Sequence, residues 1–129
     1  MDVNRNTQIV INDDLLRKIV YCIEKAIGDD LQQYLRENHR ETNNAIILLR
    51  GDNINTNLRT HVVKDDIDLV PFQRHGWSGR MVIDRKEHIT YSIMTEGTLF
   101  SKRKIVKIHT IYNQFFMSKI RIVLRKKDK

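Results

Sequence analysis

The chain reads as an α+β domain. N-terminal helices pack on a small antiparallel sheet, and a C-terminal helix and strand follow, ending in a basic tail. Three observations predict this. Apolar residues from Leu16 to Ile27 recur at three- and four-residue steps, as on one face of a helix. From Ile67 to Ile93 they alternate in short stretches separated by turn residues, as in a meander of strands. The 129 residues are 40 % hydrophobic, enough for one core. A single domain over residues 1–129 is expected, with flexible ends at 1–6 and 125–129.

Thr7–Ile11 is short and β-branched, suiting an edge strand or an extended lead-in. Asn12 or Asp13 then offers a side-chain oxygen to the free amides of a first helix. Its stripe is Leu16, Ile19, Val20, Ile23 and Ile27, and Gly28 is expected to end it. Asp29 or Asp30 can cap a second helix with Leu31, Tyr34 and Leu35 inward. Ala45–Leu49 fits a buried strand or a short helix equally. Gly51-Asp52-Asn53 reads as a break, after which Ile54, Leu58 and Val62 at four-residue steps favour a helical turn over a strand.

Ile67–Gln73 is extended, and Pro71, which cannot donate to a ladder, places it at an edge or bulge. His75-Gly76 turns the chain into a strand over Trp77–Ile83, with Trp77, Met81 and Ile83 on one face. Asp84–Glu87 is a polar connection. Ile89, Tyr91 and Ile93 alternate with Thr90, Ser92 and Met94 in a third strand, closed by Gly97. Ile105, Ile108, Ile111, Tyr112, Phe115 and Phe116 recur at helical steps and predict a helix burying aromatics. Ile120, Ile122 and Leu124 predict a last strand with one basic face.

Charge separates the two ends of the chain. Ten of the 23 Lys and Arg residues lie between Lys102 and Lys129, against one acid, Asp128, although the whole chain carries only +7. A near-neutral body with a cationic end favours a polyanionic partner, and nucleic acid is the commonest. The mean hydropathy is −0.49, and no apolar run approaches the ~20 residues that a membrane helix needs. The polar start MDVNRNTQ lacks a signal core. The lone Cys22 has no partner for an internal disulfide. A cytoplasmic protein without a membrane partner is expected. No Walker loop, dinucleotide fingerprint or zinc spacing occurs, so no cofactor and no metal are expected.

Several constellations could carry function. Lys102, Arg103, Lys104 and Lys107, with Arg121 and Arg125, can grip phosphates, although a solvated surface uses the same residues. The loop Arg74–Arg80 holds Arg74, Arg80 and the only tryptophan, Trp77; an indole stacks on bases, yet an indole also fills cores. Asp52, Asn55 and Asn57 form a polar run suited to base edges or to the backbone's own turns. Asp68 with Asp84-Arg85-Lys86, and Glu24 on the preceding helix, match the spacing of a Mg²⁺ nuclease of the PD-(D/E)xK type. A metal-free RNase could use His75 with Arg74, Arg80 or Tyr91, or use His109.

The order of features is itself suggestive. A helix pair precedes Asn43-Asn44 and then Asp52-x-Ile54-Asn55-Thr56-Asn57-Leu58. Trp77 at a strand start, Thr90-Tyr91-Ser92-x-Met94 and a basic cluster before His109 follow. From about Asp13 to Phe116 this resembles a family of small bacterial proteins of unknown function, found in Firmicutes and their mobile elements. Its most specific piece is Asp52–Leu58. The resemblance implies a bacterial or phage origin and a role for Asp52, Asn55 and Asn57 beyond solubility, with no catalytic assignment. The strand and tail after Phe116 lie beyond the pattern.

The expectation is therefore a non-enzymatic module binding RNA or single-stranded DNA, of unspecified oligomeric state. A small nuclease or toxin-like RNase is the first alternative. A protein-binding adaptor or inhibitor from a mobile-element system, docking on an acidic protein, is the second.

Overall fold

Asn12 starts the first helix, its Oδ1 accepting from the Leu15 amide at 3.1 Å. In a computed structural model of the protein, the described residues are 10–39, 41–42, 45–74, 77–95, 100–113 and 118–126. Helix α1 spans Asp13–Lys25, with Asp13 and Asp14 in its first turn and Lys25 in its last, matching the helix dipole. Leu15, Leu16, Ile19, Cys22 and Ile23 form its buried face. The helix does not stop at Gly28. A π turn over Ala26–Asp30 leads directly into α2, Leu31–Glu37, so α1, the turn and α2 form one continuous helical segment. A Cβ at Gly28 would meet nothing within 4 Å, and only its sequence suggested a stop. The extra residue of the π turn keeps Ala26, Ile27 and Leu31 buried.

Helix α3 spans Ala45–His61, so Ala45–Leu49 is helical and Gly51-Asp52-Asn53 is no break. Gly51 is buried. Ile54, Leu58 and Val62 point into the core as their spacing predicts. Reciprocal backbone bonds between Lys64 and Ile67 then reverse the chain around Asp65 and Asp66.

Five antiparallel strands follow: β1 Ile67–Arg74, β2 Trp77–Asp84, β3 Ile89–Thr95, β4 Ile105–Asn113 and β5 Ser118–Lys126. Their spatial order is β1-β2-β3-β5-β4. Pro71 sits on edge strand β1, as expected. The α+β class holds, but the expected C-terminal helix is strand β4. Ile105, Val106, Ile108, Thr110 and Ile111 are β-branched, which favours a strand, and the segment pairs with β5. Beyond a bulge between Ile105 and Lys107 the strand alternates strictly, and apolar residues on both its faces, Ile108 and Tyr112 on one and Ile111 on the other, gave the spacing that mimics a helix. Strand β5 continues through Lys126, two residues past the expected end of the fold. Val10 and Ile11 lie outside any strand. The expected features at Thr7–Ile9, Asn43-Asn44, His75-Gly76, Gly97 and Phe115-Phe116 fall outside the described residues.

The helices cover one side of the sheet. Ile19, Ile23 and Leu58 pack there with Val82, Ile89, Tyr91, Ile122 and Leu124. Ile83, Met94 and Val123, of opposite pleat parity, are buried on the other side.

Candidate nucleic-acid interface

Strand alternation sorts the charges of β5. Ile120, Ile122 and Leu124 enter the helix-side core. Lys119, Arg121 and Arg125 therefore point to the other side, with the buried Val123 between them. Register extends this face onto edge strand β4, where Tyr112 pairs with Lys119, Thr110 with Arg121 and Ile108 with Val123. Tyr112 is 51 % exposed and Ile108 is 43 % exposed. Among the described residues Lys107, Lys119 and Arg121 make no ion pair.

A basic turn docks at one end of this face. The Ser101 hydroxyl accepts from the Arg103 amide at 3.1 Å. Lys104 adopts φ 61°, a left-handed conformation, and its carbonyl accepts from the Lys126 amide at 2.9 Å. The Arg125 guanidinium donates to the Ser101 carbonyl and lies 5.8 Å from the Phe100 ring centroid. Lys102, Arg103 and Lys104 are exposed. They join Arg125 at one end of β5, and Arg121 and Lys119 continue toward the other, whereas Lys126 has the helix-side parity of its partner Ile89. From Lys119 to Arg125 the strip is ~20 Å long at the rise of a strand.

The other expected residues are distributed differently. Lys107 is exposed but belongs to the helix-side parity of β4, opposite Leu124. Arg74 and Trp77 pair at the end of the β1–β2 hairpin, level with the Lys119 end of β5 and far from Lys102–Lys104. The ladder from β2 to β3 runs only from Asp84 to Val82, so it ends well before Trp77. Arg80 lies on the helix-side parity and donates to its neighbour Gly79 carbonyl at 2.8 Å. Register thus places Arg74 and Trp77 at the end of the β1–β2 pair opposite Asp84, whereas the Lys104 carbonyl meets Lys126 level with the Asp84 end.

No nuclease centre is assembled from the residues that suggested one. Asp68 pairs with Ile83 and Asp84 with Ile67, which puts the two carboxylates on opposite sides of the sheet. Asp68 instead binds Arg85 at 3.0 Å. Asp84 is buried, and its Oδ1 accepts the amides of Lys86 and Glu87 at 3.1 Å each, shaping the β2–β3 turn. Lys86 and Glu24 are exposed, and Lys86 meets Asp84 through its backbone amide. Among the described residues no cluster of three His, Cys, Asp or Glu could hold a metal. The residues nominated for metal-free chemistry fare no better. Tyr91 is fully buried, and burial, assisted by the charge of Asp84, pushes its phenol up to about 12. It stays protonated, out of reach of a substrate. His109 is on the helix-side parity, away from Arg121. His75 lies outside the described residues.

The polar run divides by helix face. Asp52 is exposed and Asn55 half-buried, whereas Asn57 is buried. Asn57 Nδ2 donates to the Cys22 carbonyl at 3.1 Å and to Asp30 Oδ2 at 2.9 Å. Asp30 Oδ1 accepts from Lys25 Nζ at 2.6 Å. Burial works to raise the Asp30 carboxyl, but the Lys25 and Asn57 hydrogen bonds and the Lys25 charge outweigh it and hold it below its ordinary value. Asn57 thereby joins α3 to the π turn.

Sequence reasoning missed Tyr112, Thr110 and Ile108, because a helix would have turned Tyr112 and Ile108 inward. The usable signal was the β-branched content of Ile105–Ile111, which favours a strand whose alternate residues face out. Neither a curated protein nor a solved structure matches the chain. A family model, described as a family of unknown function (DUF5986), matches residues 8–114. The match stops short of β5, the strand between β3 and β4 that carries Lys119, Arg121 and Arg125. On the strength of residues 8–114, the chain belongs to the DUF5986 family.

Proposed function

We propose that the protein is a cytoplasmic, non-enzymatic module that binds nucleic acid through the side of its sheet opposite the described helices. The observation that supports this most is the parity of β5, which directs Lys119, Arg121 and Arg125 away from the helices beside the Lys102–Lys104 turn. Cations spaced along an extended strand can follow a phosphate backbone, and releasing its counterions supplies sequence-independent affinity. Arg74, Trp77 and Arg80 belong to this reading only as a secondary contact near the Lys119 end. The bacterial or phage setting is what the resemblance implied, and the family match neither adds to it nor bears on the partner.

Fluorescence anisotropy with a labelled oligonucleotide tests the proposal. Lys119→Glu with Arg121→Glu should abolish most binding, because both residues lie at the sheet surface and their replacement leaves the core intact. Unchanged affinity in the folded double variant would reject the interface.

A further inference from the structure

We infer that this surface selects single strands over duplexes, with Tyr112 as the platform on which an unpaired base stacks. The inference rests on the nucleic-acid reading above and gives it a ligand class. Three features of β4 and β5 carry it.

Tyr112 is an aromatic side chain about half exposed, on edge strand β4 of the sheet. Its cross-strand partner is Lys119, and the next pair on the same face is Thr110 with Arg121. A phosphate-binding cation therefore stands directly beside the ring, and a second lies one pleat repeat along. The pleat repeat is about 7 Å, close to the spacing of successive phosphates in an extended single strand. Ile108 continues the exposed apolar line on the same side.

A duplex hides its base faces inside the stack and offers an outer phosphate surface. To that ligand a ring and an isoleucine between cations are useless. To an unstacked strand they are the complementary half of the site, because every base has a π-face and cations can follow the linking phosphates. Charge complementarity decides the occupant: an acidic protein could use the cations but has no general need for a flat ring between them.

The test uses the full chain with three labelled probes, an oligothymidylate, an oligouridylate of equal length and a matching duplex. Wild type should bind the single strands more tightly than the duplex. Tyr112→Ala should weaken single-strand binding about fivefold or more and leave duplex binding unchanged. Tyr112→Phe, which keeps the ring, should restore wild-type affinity. Circular dichroism of each variant checks that the edge strand persists. Equal loss for duplex and single strands, or no loss for Tyr112→Ala, would overturn the stacking inference. If Lys119→Glu with Arg121→Glu still abolishes binding in that case, the broader reading survives. If wild type binds none of the probes, both fall.

Discussion

Asn57 on α3 donates its side-chain amide to Asp30 at 2.9 Å, across 27 residues of sequence, and to the Cys22 carbonyl on the facing helix. Asn57 and Cys22 are buried and Asp30 is partly so, and the amide both pins the two helical segments together and satisfies the Cys22 carbonyl in the interior. Removing it strands the Asp30 carboxylate oxygen and a backbone carbonyl. Asn57→Ala should lower stability by about 2 kcal/mol, and Asn57→Asp by more, since it sets two carboxylates side by side. Chemical denaturation of the three proteins checks the order.

Cys22 sits against the same junction, its Sγ donating to the Asn57 carbonyl at 3.4 Å. Burial pushes the thiol up to about 11, with Lys25 opposing weakly. Iodoacetamide should leave the folded protein unmodified at neutral pH and alkylate it readily in denaturant. The sign of the pH effect follows from the direction of the shift. A folded-state pKa above the unfolded value of about 8.5 means that the unfolded chain loses its proton first. The contribution is full below that pH and disappears as pH rises toward about 11. The stability advantage of wild type over Cys22→Ala should narrow across that window.

Gly28 occupies the π turn without a positive φ and with open space where a Cβ would go. Glycine there costs backbone entropy and returns nothing that the geometry requires. Gly28→Ala should raise stability by roughly 0.5–1 kcal/mol, read as a higher melting temperature. A decrease would mean that the turn needs glycine for a reason other than space or conformation.

Asp84 organises a turn. Its Oδ1 accepts two amides, and the next-but-three residue, His88, takes φ 59° to re-enter the sheet. Asp84→Ala should cost about 1–3 kcal/mol, whereas Asp84→Asn, which keeps an acceptor for both amides, should cost less. Equal losses would show that the charge matters more than the turn bonds.

Much of this architecture was legible because burial imposes a period. The α1 stripe had the spacing of a helical face, the Ile54–Leu58–Val62 line favoured one over a strand, and the alternation of Ile89, Tyr91 and Ile93 had the period of a strand. Punctuation was less informative. Gly28 and Gly51 lie inside helical segments, where tertiary packing outweighs glycine's modest penalty. The β4 segment misled for another reason, since apolar residues occupy both of its faces, Ile108 and Tyr112 on one and Ile111 on the other, at helix-like steps. That error concealed Tyr112. The basic face of β5 was readable from alternation alone, but no local pattern could reveal that β3 and β4 would flank it, or that Asp68 and Asp84 would face opposite ways.

The salt dependence of single-strand binding is the most direct measure of the cationic-face account. Lys102, Arg103, Lys119 and Arg121 are four cations able to displace counterions, so log K against log salt should fall with a slope of about −3. In Lys119→Glu with Arg121→Glu that slope should shrink by at least half. A wild-type slope near zero would contradict the account, since it would leave these ammonium and guanidinium groups with no phosphates to neutralise.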